Sequence, residues 1–154
     1  MSDIDLFKGL APDEAERVLA LGKRMVVGAG TELFHLGGAA ESIYLVVRGR
    51  LRLTLPMQVR SHEEDVLVEE RASGQTVGWS ALIPPCRFTL TASAPLEAEV
   101  IALSREALNG YFAAHPATGY AVSLNVSCVI GHRLQLFQAM WLREVQRMVE
   151  MRCA

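Results

Sequence analysis

Residues 30–53 read GTELFHLGGAAESIYLVVRGRLRL. Glycines at 30, 37, 38 and 49 bracket the run Ile43–Tyr44–Leu45–Val46–Val47. Residues of that kind favour strands, and tight corners between strands often need the positive φ that glycine supplies. The same texture continues on both sides. RMVVGAG precedes the stretch, and RLRLTLPMQV, DVLVEER, QTVGW, FTLTASA and AEVIALS follow it. Gly, Ser, Asn or Pro punctuate these runs at intervals of about ten residues, the spacing of short strands in a sandwich or barrel. The polar break RSHEED at 60–65 is the expected tip of an exposed hairpin.

Helices are expected at both ends of this β-rich body. APDEAERVLALGK predicts a helix from about residue 12 to 21, with Pro12 in its first turn and Gly22 as its stop. SREALNGYFAAHP predicts a short helix capped by Ser104 and closing before Pro116. From Ala117 to about Cys153 no proline interrupts the chain, and Ile130, Leu134, Phe137, Trp141, Val145 and Met148 recur at spacings of three and four. That is the apolar stripe of a long helix. Leu136, Met140 and Met151 lie off the stripe and widen it. A second copy of the helix in a two-fold homodimer would cover so much apolar surface; the alternative is that the helix folds back over its own body. The chain reads as one domain, 1–154, with an N-terminal helix in 1–23, a β body over 24–104 and C-terminal helices in 105–154.

Bulk properties exclude several function classes. A chain of 154 residues, 51% hydrophobic and 21% charged, is long enough to bury one core. A net charge of −2 offers no basic field to nucleic acid, and Arg143, Arg147 and Arg152 are interleaved with Glu144 and Glu150 as on a solvated helix face. No apolar run reaches the roughly 18–20 residues of a membrane span, so no membrane partner is expected. MSDIDLFKGL lacks the form of a secretory leader, and the expected location is the cytoplasm. Three scattered cysteines fit reduced thiols: Cys86 in a loop, Cys128 in helix core and Cys153 at an exposed end. His35, His62, His115 and His132 lie too far apart in sequence for a metal site of cupin type. No Ser–His–Asp set, P-loop or paired carboxylate stands out, so no catalytic residue and no enzyme is expected.

The stretch with chemical content is GWSALIPPCRFTL, 78–90. A helical turn over 78–83 would present free backbone N–H groups to an anion, with Gly78 allowing close approach and Ser80 adding a hydroxyl. Pro84 and Pro85 end the turn, and Arg87, entering the next strand, would meet the same anion with a forked guanidinium. The plain alternative is a surface arginine beside a turn.

Taken together, these segments resemble the cyclic nucleotide-binding domain, the β-roll shared by bacterial catabolite activators and the regulatory subunits of cAMP-dependent protein kinase. Gly30, Phe34, Gly37, Glu41, the strand 43–47 and Gly49 carry the first half of the likeness. GQTVGWSALIPPCRFTLTA, 74–92, falls where that family has its phosphate-binding cassette, and EVIALSREALNGYFAAHP and HRLQLFQ are similar to its closing strand and helices. The resemblance implies a mainly β fold, a jelly-roll-like double-stranded β-helix with an N-terminal helix and a long C-terminal dimerisation helix. It implies a cyclic-phosphate site at Gly78, Trp79, Ser80, Ala81, Arg87, Phe88 and Thr89, with Phe137 and Gln138 near the positions that touch the purine. Phe137 is alternatively dimer core. The implied ligand is cAMP or cGMP, with no other cofactor.

Two departures qualify what the resemblance implies. Trp79 stands where the family carries a glutamate that accepts from the ribose 2′-hydroxyl, and an indole can only donate. Losing such a charge-assisted bond costs about 1.5–3 kcal/mol, roughly 10- to 100-fold in affinity. Trp79 either stacks on a ligand ring or blocks the pocket, and Phe88 replaces a small residue on the phosphate side. The chain also stops at MRCA, where catabolite activators continue into a helix-turn-helix DNA reader. The expected function is a stand-alone sensor of a small anionic effector that signals through its C-terminal helix to a regulated protein. The alternative is a degenerate domain with a filled pocket, acting as a dimeric scaffold.

Overall fold

The computed structural model describes residues 4–153. Eight strands form two antiparallel sheets: β1 (Lys23–Val27), β8 (Ala98–Ser104), β3 (Ser42–Arg48) and β6 (Thr76–Val77) in one, β2 (Glu32–Phe34), β7 (Thr91–Ser93), β4 (Arg50–Val59) and β5 (His62–Ala72) in the other. The chain crosses from sheet to sheet as it winds, which makes a double-stranded β-helix. Around it lie α1 (Pro12–Leu19), α2 (Arg105–Ala114) and α3 (Pro116–Cys153).

The two-residue period of β3 and β8 explains how roll and helices share one sheet. Val46 and Val100 point into the roll, where they meet Phe34, Leu51, Leu53, Val77, Phe88 and Leu90. Ile43, Leu45, Ile101 and Leu103 point the other way, against Leu6, Val18, Leu108, Val122 and Val126. Each strand is therefore apolar on both faces, as the unbroken run at 43–47 required. Gly49 closes the β3–β4 corner at φ 84°, and a Cβ there would stand 2.9 Å from the Glu97 carbonyl oxygen. Glu14 on α1 accepts from the Tyr111 hydroxyl of α2 at 3.0 Å and from the Thr118 hydroxyl of α3, so one carboxylate gathers all three helices.

Several sequence expectations are corrected. The tip of the β4–β5 hairpin is Arg60–Ser61 alone, and His62 to Asp65 pair with Val59 to Pro56 as strand. Polarity there marks an edge open to solvent rather than a loop. α1 ends at Leu19 rather than near 21, because Gly22 lies against β8, where a Cβ would collide with Ile101. Arg87 enters no strand. It makes one isolated bridge with Ala39, and β7 begins only at Thr91. Cys128 is exposed rather than core, since it lies off the inward side of α3.

The single stripe on α3 is in fact two. Val122, Val126, Ile130, Arg133 and Phe137 turn toward the body, whereas Leu134, Trp141 and Met148 are exposed. Beyond Phe137 the helix runs clear of the roll and nearly every residue is exposed.

Two outcomes follow from this architecture. Gly49→Ala lowers stability by about 1–3 kcal/mol in chemical denaturation, because alanine resists the left-handed corner. The Thr118 hydroxyl, ahead of the Tyr111 hydroxyl and Arg17, holds Glu14 below the ordinary glutamate pKa. Its contribution is therefore present above pH ~4.3 and lost as pH falls further. Glu14→Gln flattens that acid limb of a stability–pH profile, with Tm measured between pH 3 and 6 (roughly the glutamate titration range).

Candidate ligand-binding site

β6 delivers the chain to Gly78, whose φ of 81° starts a single helical turn over Trp79–Ala81. A Cβ on Gly78 would lie 3.2 Å from both the Phe88 ring and the Ser42 carbonyl, so close packing and backbone handedness both demand glycine. Ala81 and Leu82 donate back to the Gly78 and Trp79 carbonyls at 3.0 Å. The preceding amides, of Trp79 and Ser80, are those a single turn leaves without an internal partner. Ser80 and Ala81 are buried.

Arg87 and Phe88 divide in opposite directions. The Phe88 N–H donates to Gly38 O at 3.0 Å and its carbonyl accepts from Gly37 at 2.8 Å, which binds the 37–38 corner to the cassette. Its ring is buried, stacked on Phe34 with centroids 3.8 Å apart and planes 10° from parallel; Phe34 in turn stacks on Tyr44. The space left between these rings, Gly78, Ser80 and Leu53 is about 10 Å³, about one water's worth. Arg87 is exposed, and its Nη1 donates to Gly37 O at 2.9 Å. The Phe88 N–H, at a position that the resemblance places in the phosphate site, is thus engaged within the protein.

Beside this closed cup lies a larger, largely apolar cavity of about 350 Å³. Leu55, Trp79, Thr89 and Leu90 wall it on the roll side; Ile130, Leu134, Phe137 and one charged residue, Arg133, wall it from α3. Trp79 packs against the helix-side core while lining both this cavity and the cup, and its buried Nε1 has no hydrogen-bond partner among the described residues. The structure therefore brings Trp79, Thr89 and Phe137 together, places Gly78, Trp79, Ser80, Phe88 and Thr89 around the cup, and leaves Arg87 and Gln138 outside both spaces.

Sequence reasoning missed the charges at this junction. Arg133 on α3, 7% exposed, donates through Nε and Nη2 to Glu69 Oε2 at 3.2 and 3.1 Å. Glu69 Oε1 lies 2.9 Å from Nη2 of Arg71, itself 5% exposed. Burial, reinforced by Arg71 and opposed by Glu69, holds the Arg133 guanidinium below its ordinary pKa. A signal was present: Val126, Ile130, Arg133 and Phe137 run at four, three and four, so an arginine stands in the inward stripe.

Known proteins match this arrangement. The family model described as "Cyclic nucleotide-binding domain" matches residues 24–115. A cyclic AMP receptor protein of Thermus thermophilus is 29% identical over 108 residues, 69% of this chain and 48% of that protein. The chain thus spans about half the length of the curated relative it matches. The crystal structure of the Thermus thermophilus catabolite activator protein superposes with a TM-score of 0.74 at 25% identity, covering 92% of this chain and 63% of that one. A c-di-GMP responsive global regulator, CLP, of Xanthomonas campestris shares the fold with a TM-score of 0.75 at 19% identity, over 86% of this chain and 64% of that one. The roll, the glycine corners, the cassette turn and the closing helices thus converge on one assignment, and the chain belongs to the cyclic nucleotide-binding domain family.

Proposed function

We propose that this chain is a cytoplasmic, non-catalytic regulatory domain that reads a small effector where the cassette meets α3, and that its output is the position of α3. The observation that carries the reading is the 350 Å³ cavity shared by cassette and helix. A molecule filling it touches Trp79 and Leu90 on one wall and Ile130 and Phe137 on the other. Such a ligand binds the docked helix more tightly than a displaced one, and that difference is what shifts a two-state population. The lining selects an effector with an apolar or aromatic body, and ring stacking on tryptophan contributes about 1–3 kcal/mol. The unpartnered Trp79 Nε1 supplies a donor for one acceptor atom.

cAMP and cGMP are the candidates that the family supplies. To hold a cyclic phosphate, Arg87 must release the Gly37 carbonyl and the Phe88 ring must leave Phe34. The ribose then meets an indole donor in place of a carboxylate. These are the reasons to expect weaker cyclic-nucleotide binding than the usual cassette gives, and to favour a ligand in the adjoining cavity. A specific observation also favours a second reading: the Phe34–Phe88 stack fills the cup as a hydrophobic core would, as a dimeric scaffold requires.

The homodimer belongs to both readings. Tyr120, Leu124, Ser127, Gly131, Leu134, Gln138, Trp141, Val145, Met148 and Arg152 follow one another at alternating spacings of four and three. This is the 3.5-residue period of a coiled-coil seam. Tyr120, Leu124, Leu134, Trp141 and Met148 are each at least half exposed in the single chain. Ser127 and Gly131 allow close helix approach, and Gln138 is a polar seam residue that sets register. An interaction partner would read the far end of the same helix pair.

The oligomer is checked by sedimentation: Leu134→Glu with Trp141→Glu converts a dimer to a monomer, while the single chain's fold, followed by circular dichroism, persists. The sensor is checked by thermal shift and calorimetry with cAMP, cGMP and uncharged aromatic compounds. A ligand at 100 times its Kd raises stability by about 2.7 kcal/mol. Thr89→Trp, which fills the cavity, removes that shift. Arg87→Ala weakens only a ligand bound through phosphate. Absence of any shift across the panel favours the scaffold.

A further inference from the structure

On the opposite flank of α3 is a cavity of about 270 Å³, walled by Asn125 and His132 of the helix, Asp5 and Lys8 of the N-terminal segment, and Arg71 and Gln75. It is separate from the cavity beside Trp79, and its chemistry differs. Arg71 is 5% exposed, and its Nε and Nη2, both shut off from solvent, make no aligned hydrogen bond to the described residues. Nη2 sits 2.9 Å from Glu69 Oε1 and Nη1 3.7 Å from Asp5 Oδ2, so its charge is balanced while its donors are unmet. Buried polar groups in that state call for an explanation, and an arginine carries five N–H donors.

The open donors around the cavity come from Arg71, Gln75 and Lys8, while Asn125 spends both amide hydrogens and keeps only its Oδ1 acceptor. Both Asp5 oxygens are already engaged by Thr76, through its hydroxyl at 2.9 Å and its backbone N–H at 3.1 Å. Asn125 Nδ2 donates to the Leu6 and Lys8 carbonyls, holding the N-terminal segment as one wall. Gln75 Oε1 accepts from the Ala72 N–H, which leaves its Nε2 to donate. Beside these stands the exposed Lys8 ammonium.

We infer that this cavity is a second ligand site, for a small anion bearing a carboxylate or a phosphate group. Arg71 meets the anion through Nη1, the one guanidinium nitrogen not closed off from the cavity, Lys8 supplies a point charge, and Gln75 Nε2 donates a second hydrogen bond. The site stands whether or not the cavity beside Trp79 holds an effector. It also bears on α3: Glu69 joins Arg71 to Arg133, so an anion that draws on Arg71 alters the carboxylate that docks the helix. By linkage, an effector that moves α3 changes the anion's affinity by the same factor.

The experiment is a titration of the full chain with inorganic phosphate and, separately, with citrate, followed by 15N NMR at constant ionic strength, with chloride as the control. Saturable shifts of Arg71 Nε, Gln75 and Asn125 are expected with at least one anion and absent with chloride; the anion that saturates at lower concentration names the preferred group. Lys8→Glu, a surface change, weakens that binding by about tenfold or more, and Arg87→Ala leaves it unchanged. Shifts that never saturate, that chloride reproduces, that survive Lys8→Glu or that disappear in Arg87→Ala overturn the site.

Discussion

A single carboxylate, Glu69, has to satisfy two guanidinium groups that water barely reaches. Arg133 comes from α3 and Arg71 from the same strand as Glu69, and the two oxygens are divided between them. Withdrawing a charge from water costs several kcal/mol even after relaxation, and removing one partner leaves the other charge stranded. The helix therefore has a preferred seat at the mouth of the roll. Hydrophobic packing by Val126, Ile130 and Phe137 would tolerate sliding by part of a turn; two N–H donors converging on one buried carboxylate oxygen would not. The two cavities beside α3 exist because the helix is seated there.

That constraint colours the chemistry of the cassette. The cassette's backbone route is laid out by Gly78, by the turn through Ala81 and by the paired bonds of Phe88 with Gly37 and Gly38. The space such a route encloses is given over to aromatic rings, with Phe34 and Phe88 stacked at 3.8 Å. A phosphate needs room in the cup, and here stacked rings leave almost none, while a largely apolar cavity is opened next door. The family's architecture is kept around that filled cup.

The two sides of α3 answer to different forces. Inward, it is held by packing and by the Glu69 pair over the stretch from Val122 to Phe137. Outward, a 3.5-residue seam runs along almost the whole helix, including the end that extends past the roll. A rotation that improves contact on one side changes what is offered on the other. Interfaces and packed cores are in general bistable rather than continuously deformable, and on the proposed function that is what would turn small contacts at the cassette into discrete changes in the helix.

The sequence alone determined the roll, its corners and its helices. The reason is local: strand-favouring residues between glycines, and a proline-free helix with apolar periodicity, each declare themselves over a few residues. Gly78 and the turn after it were legible for the same reason, and so was the loss of a carboxylate at Trp79. The directions of side chains were not. Phe88 inward and Arg87 on the Gly37 carbonyl depend on a corner about fifty residues earlier in the chain. The split of one helical stripe into an inner and an outer face, and the exposure of Cys128, depend on where α3 lies. The Arg133–Glu69–Arg71 chain ties α3 to a strand 64 residues earlier, and its charges would read as ordinary surface until the fold removes water from around them. Local conformational preference is written residue by residue; burial of charge and the shape of a cavity are properties only of the folded whole.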